Sequence, residues 1–244
     1  MKYAPGLTAL CLLFSVSLCH AGFFDALSRK IMAPATQQTS LNDSTVVKGL
    51  KEALAVGTER AVTAVAKTDG YFGNQLIKIL LPGSVQKAAD ILGPLGYQQQ
   101  VDDVVLNMNR AAEKAAPQAA RFFGDAIRQM TVEDAQGILS GGDTAATDYF
   151  DKKSRPQLFE AFKPTVEKTM GQVGTARAYK EMIGKYNVTL LASFANIPSL
   201  DLDTYVTNKA LDGLFKMVAE EEKKIRNNPV SRTSELLRTV FGGK

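Results

Sequence analysis

Between Asn42 and Gly70 the chain reads NDSTVVKGLKEALAVGTERAVTAVAKTDG, with Val46, Leu50, Leu54, Val62 and Val65 spaced to fall near one helix face. At 3.6 residues per turn, apolar residues three and four apart share a face, so this spacing predicts an amphipathic helix. Asn42–Ser44 gives it a polar start and Gly70 a stop. Gly49 and Gly57 lower helix propensity but let a neighbouring helix come close.

The same period continues along the chain. YQQQVDDVVLNMNRAAEKAA carries Val101, Val104, Val105, Met108, Ala112 and Ala115 on one face. Pro117 restarts the chain in the first turn of a helix through Phe122, Phe123, Ile127 and Met130. Thr131 and Asp134 then form a carboxylate variant of the capping box. Ser154 is expected to cap a helix with Pro156 near its start, running to about Gly171 and kinked or broken at Pro164. TARAYKEMIGKY makes another helix. VTLLASFANIP (188–198) is apolar without a polar face, either a buried irregular segment or a short helix. Asp201 or Asp203 caps a long helix striped by Leu211, Leu214, Phe215, Val218 and Ile225, and Pro229 ends it before a short amphipathic SRTSELLRTVFGG. Strand alternation with hairpin turns is missing, and no repeat period is found. The expected fold is all-α: a single-domain multi-helix bundle.

The first residues suggest where the protein works. MKYAPGLTALCLLFSVSLCHAGFF places Lys2 before an apolar run from Leu7 to Leu18 and a small residue at Ala21. That is the pattern of a secretory signal peptide, expected to be cleaved between Ala21 and Gly22 and to leave a periplasmic protein. The run is too short to span a bilayer comfortably, so no transmembrane span is expected in the mature chain. Lipid anchoring through Cys19 is disfavoured because Leu18 is too bulky for the preceding position. Residues 22–42 read as an N-terminal arm or linker, and 43–244 as the helical domain.

Cleavage would remove both cysteines, Cys11 and Cys19, and the one histidine, His20, from a chain that has no tryptophan. Packing alone must then hold the domain, without disulfides. Cysteine nucleophiles, Ser-His-Asp triads and Cys/His zinc sites are excluded from such a mature chain. No EF-hand pattern supports calcium, and no metal or cofactor is expected. Of 29 Lys+Arg only Lys2 is lost, against 25 Asp+Glu, leaving +3. That balance, with short basic clusters lacking aromatics, argues against nucleic acid.

The glycine pair in GILSGGDTAATDYF (137–150) raises the question of a phosphate loop. It matches neither the Walker nor the dinucleotide pattern, and helix precedes it. Gly141 is instead expected to end one helix in a left-handed conformation, and Asp143 to cap the next. This stretch, with MNRAAEKA (108–115), TDGYFGN (68–74), LPGSVQKA (81–88) and TNKALDGLFKMVAEEEKKIR (207–226), resembles the exported bacterial family catalogued as domain of unknown function 4197. The likeness covers about residues 45–241 and implies a helical exported protein with no assigned activity, so it brings no catalytic residues.

Two functional expectations follow. The leading one is a non-catalytic protein binding an envelope partner or an apolar small molecule. Tyr71 and Phe72, between turn-forming glycines, either plug the core or form a lid; Leu190 and Phe194 would line an apolar pocket; Arg110 or Lys209 would meet an acidic headgroup. The alternative is an envelope hydrolase using paired carboxylates from Glu113, Asp143 and Glu222. Glu222 lies on the apolar stripe between Val218 and Ile225, so it needs a buried partner, with Arg110 or Arg226 as candidates. The rest of AEEEKKIR is expected to pair with itself at i,i+4, as in Glu220–Lys224 and Glu222–Arg226.

Overall fold

Helices account for all the regular structure among the described residues, which in this computed structural model are 43–172, 181, 184 and 201–227. Helix α1 spans Asp43–Ala66, α2 Gly83–Leu92, α3 Gln98–Ala115, α4 Ala119–Gln129, α5 Val132–Ser140, α6 Ala145–Gln172 and α7 Leu202–Asn227. Single 3₁₀ turns at Gly93–Leu95 and Ala116–Gln118 join α2 to α3 and α3 to α4, each built around a proline. The all-α expectation holds. The stretch 188–198, with Leu190 and Phe194, lies outside the described residues, as do the N-terminal arm and the segment after Asn227.

Burial follows the apolar period. Helix α1 buries Leu50, Ala53, Leu54, Ala61, Val62 and Val65 against α7, α4 and α5. A Cβ on Gly57 would lie 3.3 Å from Ile225 Cδ1, so this glycine sits where α1 and α7 nearly touch. Helix α3 buries Ala111, Ala112 and Ala115, and the alanines continue through Ala116 and Ala119. Such small side chains let helix axes approach closely. Phe123 of α4 meets Phe150 of α6 and Phe215 of α7, with ring centroids 5.2 and 5.9 Å away. These tilted and edge contacts suit the aromatic quadrupole. Among the described residues, no helix is long and apolar enough to cross a membrane.

Three helix boundaries differ from the sequence expectation. Helix α6 begins at Ala145 and runs unbroken through Pro156 and Pro164. Ser154 is therefore inside the helix, where its hydroxyl donates to the Phe150 carbonyl at 2.6 Å instead of capping a terminus. Each proline lacks the N–H for the carbonyl four residues back, so the helix survives on packing. It buries Ala146, Phe150, Ser154, Leu158, Phe162, Val166 and Met170, a line with one residue every four positions, and Thr147 and Thr169 beside the two ends of that line. Each step of four turns the helix about 40° past a full revolution. The buried line therefore winds around α6, which is packed by α7, α3, α4 and α5.

At the glycine pair, Gly141 is extended (φ −79°, ψ 178°) and not left-handed. Its lack of a side chain matters for another reason: a Cβ there would lie 2.6 Å from Ala145 Cβ and 2.9 Å from the Gly137 carbonyl oxygen. Asp143 is exposed and does not cap α6. The capping box at α5 forms as expected, with Thr131 and Asp134 exchanging side-chain-to-backbone bonds. Helix α1 ends at Ala66, and the residue in the left-handed region is Asp69 (φ 63°), not Gly70. Gly70 is needed because a Cβ would come within 2.5 Å of the Val65 carbonyl oxygen.

Candidate functional site

Glu113 and Glu222 are both buried, and each holds backbone belonging to another element. On α3, Glu113 Oε1 accepts the Tyr71 and Phe72 N–H groups at 3.1 and 3.2 Å. Its Oε2 accepts from Arg110 Nη1 at 2.7 Å, while Arg110 Nη2 reaches Asp69 Oδ1 at 2.8 Å. The turn TDGYFGN is thus fixed by charge-assisted bonds, and an aspartate tolerates the left-handed position better than most side chains. Glu113 and Asp69 also drive the Arg110 guanidinium above its already high range, the bond to Glu113 being the larger cause.

Glu222 does for α6 what Asp143 was expected to do. Its two oxygens accept the Ala146 and Thr147 N–H groups, each at 2.9 Å, and Oε2 also accepts the Thr147 hydroxyl. Arg226 closes the pair at 2.8 Å with Nη2, which also donates to the Ile138 carbonyl. The anion at this helix N-terminus is therefore the protein's own carboxylate, delivered from α7. The loop is a joint, closed from a distance. Of the other expected pairs, Lys224 meets Glu221 at 2.7 Å and not Glu220, which has Lys223 at 3.6 Å.

Tyr71 is a core plug. It is fully buried, and its hydroxyl donates to the Ala210 carbonyl of α7 at 2.6 Å. Burial, then the nearby Glu113 and Asp212 charges, pushes this phenol well above its ordinary range. A Cβ on Gly213 would lie 2.7 Å from the Tyr71 ring and 3.1 Å from Ile77 Cβ, so only glycine lets the turn lie on α7 here. Phe72 is half-buried, with Lys78 Nζ 4.0 Å from its ring centroid.

Residues 74–82 then form a strap. Ile77, Ile79 and Leu81 face the core, while Leu76 (61%) and Leu80 (57%) are exposed. Asn109 of α3 pairs with both backbone groups of Ile79 at 2.8 Å, and Tyr205 donates to the Leu80 carbonyl at 2.9 Å. Between strap and α7 lies an open groove of about 290 Å³. Leu76 and Leu80 line it from the strap, and Lys209, Gly213 and Lys216 from α7. Lys78 also lines it, as does Asp212, which is held by Arg155 at 3.0 Å and by Lys209 at 3.5 Å.

Of the residues picked from sequence, Tyr71, Phe72, Arg110 and Glu113 come together in one network, as a structural anchor under the strap. Lys209 stands in the groove. Glu222 belongs to a separate set with Arg226, and Asp143 joins neither glutamate. Leu76, Lys78, Leu80, Lys216 and Asn109 are not among the residues the sequence singles out, because LIKILL (76–81) is apolar on both sides of the strap and shows no alternation. No group of His, Cys, Asp and Glu among the described residues is arranged to hold a metal.

No curated protein and no solved structure matches this chain. The family resemblance stands on firmer ground: a family model matches residues 40–242, which takes in all of the described helices. The chain belongs to the family described as Protein of unknown function (DUF4197).

Proposed function

We propose that this chain is an exported, non-catalytic binding protein of the bacterial envelope, and that the groove between the strap and α7 is its docking surface. The groove carries this reading: of the four large apolar side chains exposed among the described residues, Leu76 and Leu80 share it, while Leu95 and Val132 lie elsewhere. The hydrolase alternative needs two carboxylates converging across a cleft with room for substrate. Glu113 and Glu222 instead have both oxygens filled by donors and serve different backbone segments, 71–72 and 146–147. A partner suits the groove better than an apolar small molecule. Ligand sites usually enclose most of their ligand, and a groove of about 290 Å³ open along its length leaves one exposed.

A photo-crosslinking residue at position 80, introduced in the host, tests this. A covalent adduct with one protein of defined mass is expected, and its loss in Leu76→Asp, which puts a charge on the exposed wall of the groove without touching the core, ties it to the site. Recovery of intrachain products alone would overturn the docking reading. Native mass spectrometry showing a co-purifying lipid would favour the small-molecule reading instead. Export has its own test: intact mass should give a chain beginning at Gly22, and a diacylglycerol-bearing chain beginning at Cys19 would contradict it.

A further inference from the structure

We infer that the occupant of this groove is an acidic segment of a protein partner whose aliphatic side chains anchor between the strap and α7; the inference rests on the docking reading above. The first argument is charge. Three ammonium groups, from Lys78, Lys209 and Lys216, face one carboxylate, Asp212, and Arg155 already holds that carboxylate at 3.0 Å. Lys78 and Lys216 have no carboxylate partner among the described residues, so an incoming anion displaces nothing at either. Lys78 is also partly ordered beforehand, because its ammonium rests 4.0 Å above the centre of the Phe72 ring. An ammonium held by a cation–π contact loses less freedom on binding than a free surface lysine.

The second argument is shape. The apolar and basic side chains line one open recess, Leu76 and Leu80 from the strap and Lys209 and Lys216 from α7. Side chains of a peptide reach into such a recess, whereas a bilayer surface meets only the rim. Leu76 and Leu80 lie on the outward side of a strap pinned from within by Asn109 and from the groove side by Tyr205. The binding face is therefore rigid before the partner arrives, which limits the ordering cost of association. Aliphatic anchors in the recess with a charged rim around them follow the usual anatomy of a protein–protein contact.

Fluorescence anisotropy with the mature chain tests the chemistry directly. The probe is a short labelled peptide alternating Leu with Asp and Glu. Two controls replace its acids by Lys, or its leucines by Ser. The acidic leucine peptide should bind, with each control weaker by about tenfold, and added salt should weaken it further. Lys78→Ala and Lys216→Ala should each cost about two- to fivefold in affinity, while Lys114→Ala, outside the groove, should change nothing. All three lysines are at least partly exposed, and unchanged thermal melts will show that the variants fold. Equal binding of the acidic and basic peptides would overturn the inference. So would binding to phosphatidylglycerol vesicles with no preference among peptides, which would assign the groove to a membrane surface. If the peptides fail while position 80 still crosslinks to a protein, the acidic chemistry is wrong and docking stands. If both fail, docking falls too.

Discussion

Glu222→Ala is the substitution whose effect the structure specifies most fully. It removes the acceptor for the Ala146 and Thr147 N–H groups and the Thr147 hydroxyl, and leaves Arg226 without its carboxylate. The pair is well buried, with side-chain exposures of 6% for Glu222 and 9% for Arg226. Losing a helix cap alone costs about 1 kcal/mol. Leaving one member of a buried ion pair uncompensated costs about 3–5 kcal/mol, a range that already contains much of the cap loss, so we expect about 4 kcal/mol in all. That is a large part of the roughly 5–15 kcal/mol that holds a domain of this kind together. Urea denaturation followed by far-UV circular dichroism measures it, and the double variant Glu222→Ala/Arg226→Ala isolates the pair. Arg226 keeps its bond to the Ile138 carbonyl in Glu222→Ala, so the quantity to read is the coupling from the full cycle with Arg226→Ala, expected at about 1.5 kcal/mol or more. A loss under about 1 kcal/mol in the single variant, or effects of Glu222→Ala and Arg226→Ala that simply add, would refute the account of a carboxylate shared between cap and ion pair.

Other expectations follow from the same contacts. Tyr71→Phe deletes the bond to Ala210 and should cost about 1 kcal/mol near neutral pH. Because the folded state raises this phenol above its unfolded value near 10, the stability it gives is complete below that value and lost as pH rises beyond it. Wild type should therefore lose about 1.4 kcal/mol more per pH unit than Tyr71→Phe above pH 10, read from alkaline urea titrations; parallel curves would contradict burial of the phenol. Gly213→Ala gains about 1 kcal/mol in helix propensity but drives a Cβ to 2.7 Å from a ring that cannot yield, so thermal melts should show a net loss of about 1–2 kcal/mol. Gly141→Ala should destabilise by about 1–2 kcal/mol through contact with Ala145, whereas Asp143→Ala should stay within about 0.5 kcal/mol; the reverse order would restore Asp143 as the cap.

Helix identity was legible wherever one face of a helix stays buried along its length, as in α1, α3 and α7. Period alone failed for α6. Its main buried line, from Ala146 to Met170, recurs every four positions and winds around the axis, so no fixed stripe exists and the two prolines read as boundaries. Ser154 read as a cap because serine prefers that place, and only the carbonyl of Phe150 shows where its hydroxyl goes. Glu222 was legible as a buried charge with Arg226 in reach. That it caps α6 was not, because a cap supplied 76 residues away leaves no local trace. The strap is not legible because LIKILL is apolar on both of its sides and sits in a chain that is helical on either side. Its outward leucines and lysines became a surface only once α7 was placed beside them.

The long reach of α7 bears on the order in which the chain folds. Its bonds to Tyr71, Leu80 and Ala146 span 139, 125 and 76 residues. Contacts this distant in sequence require closing long loops before they return any stability, and they slow folding. During synthesis α1 to α6 emerge first, with the start of α6 lacking its anion, the Tyr71 hydroxyl lacking its acceptor and the strap loose. Arrival of α7 completes all three together, so the domain sets late and in one cooperative event. A chain that stays open until its last long helix appears is also one that a secretion machine can still thread, which suits the export route proposed above.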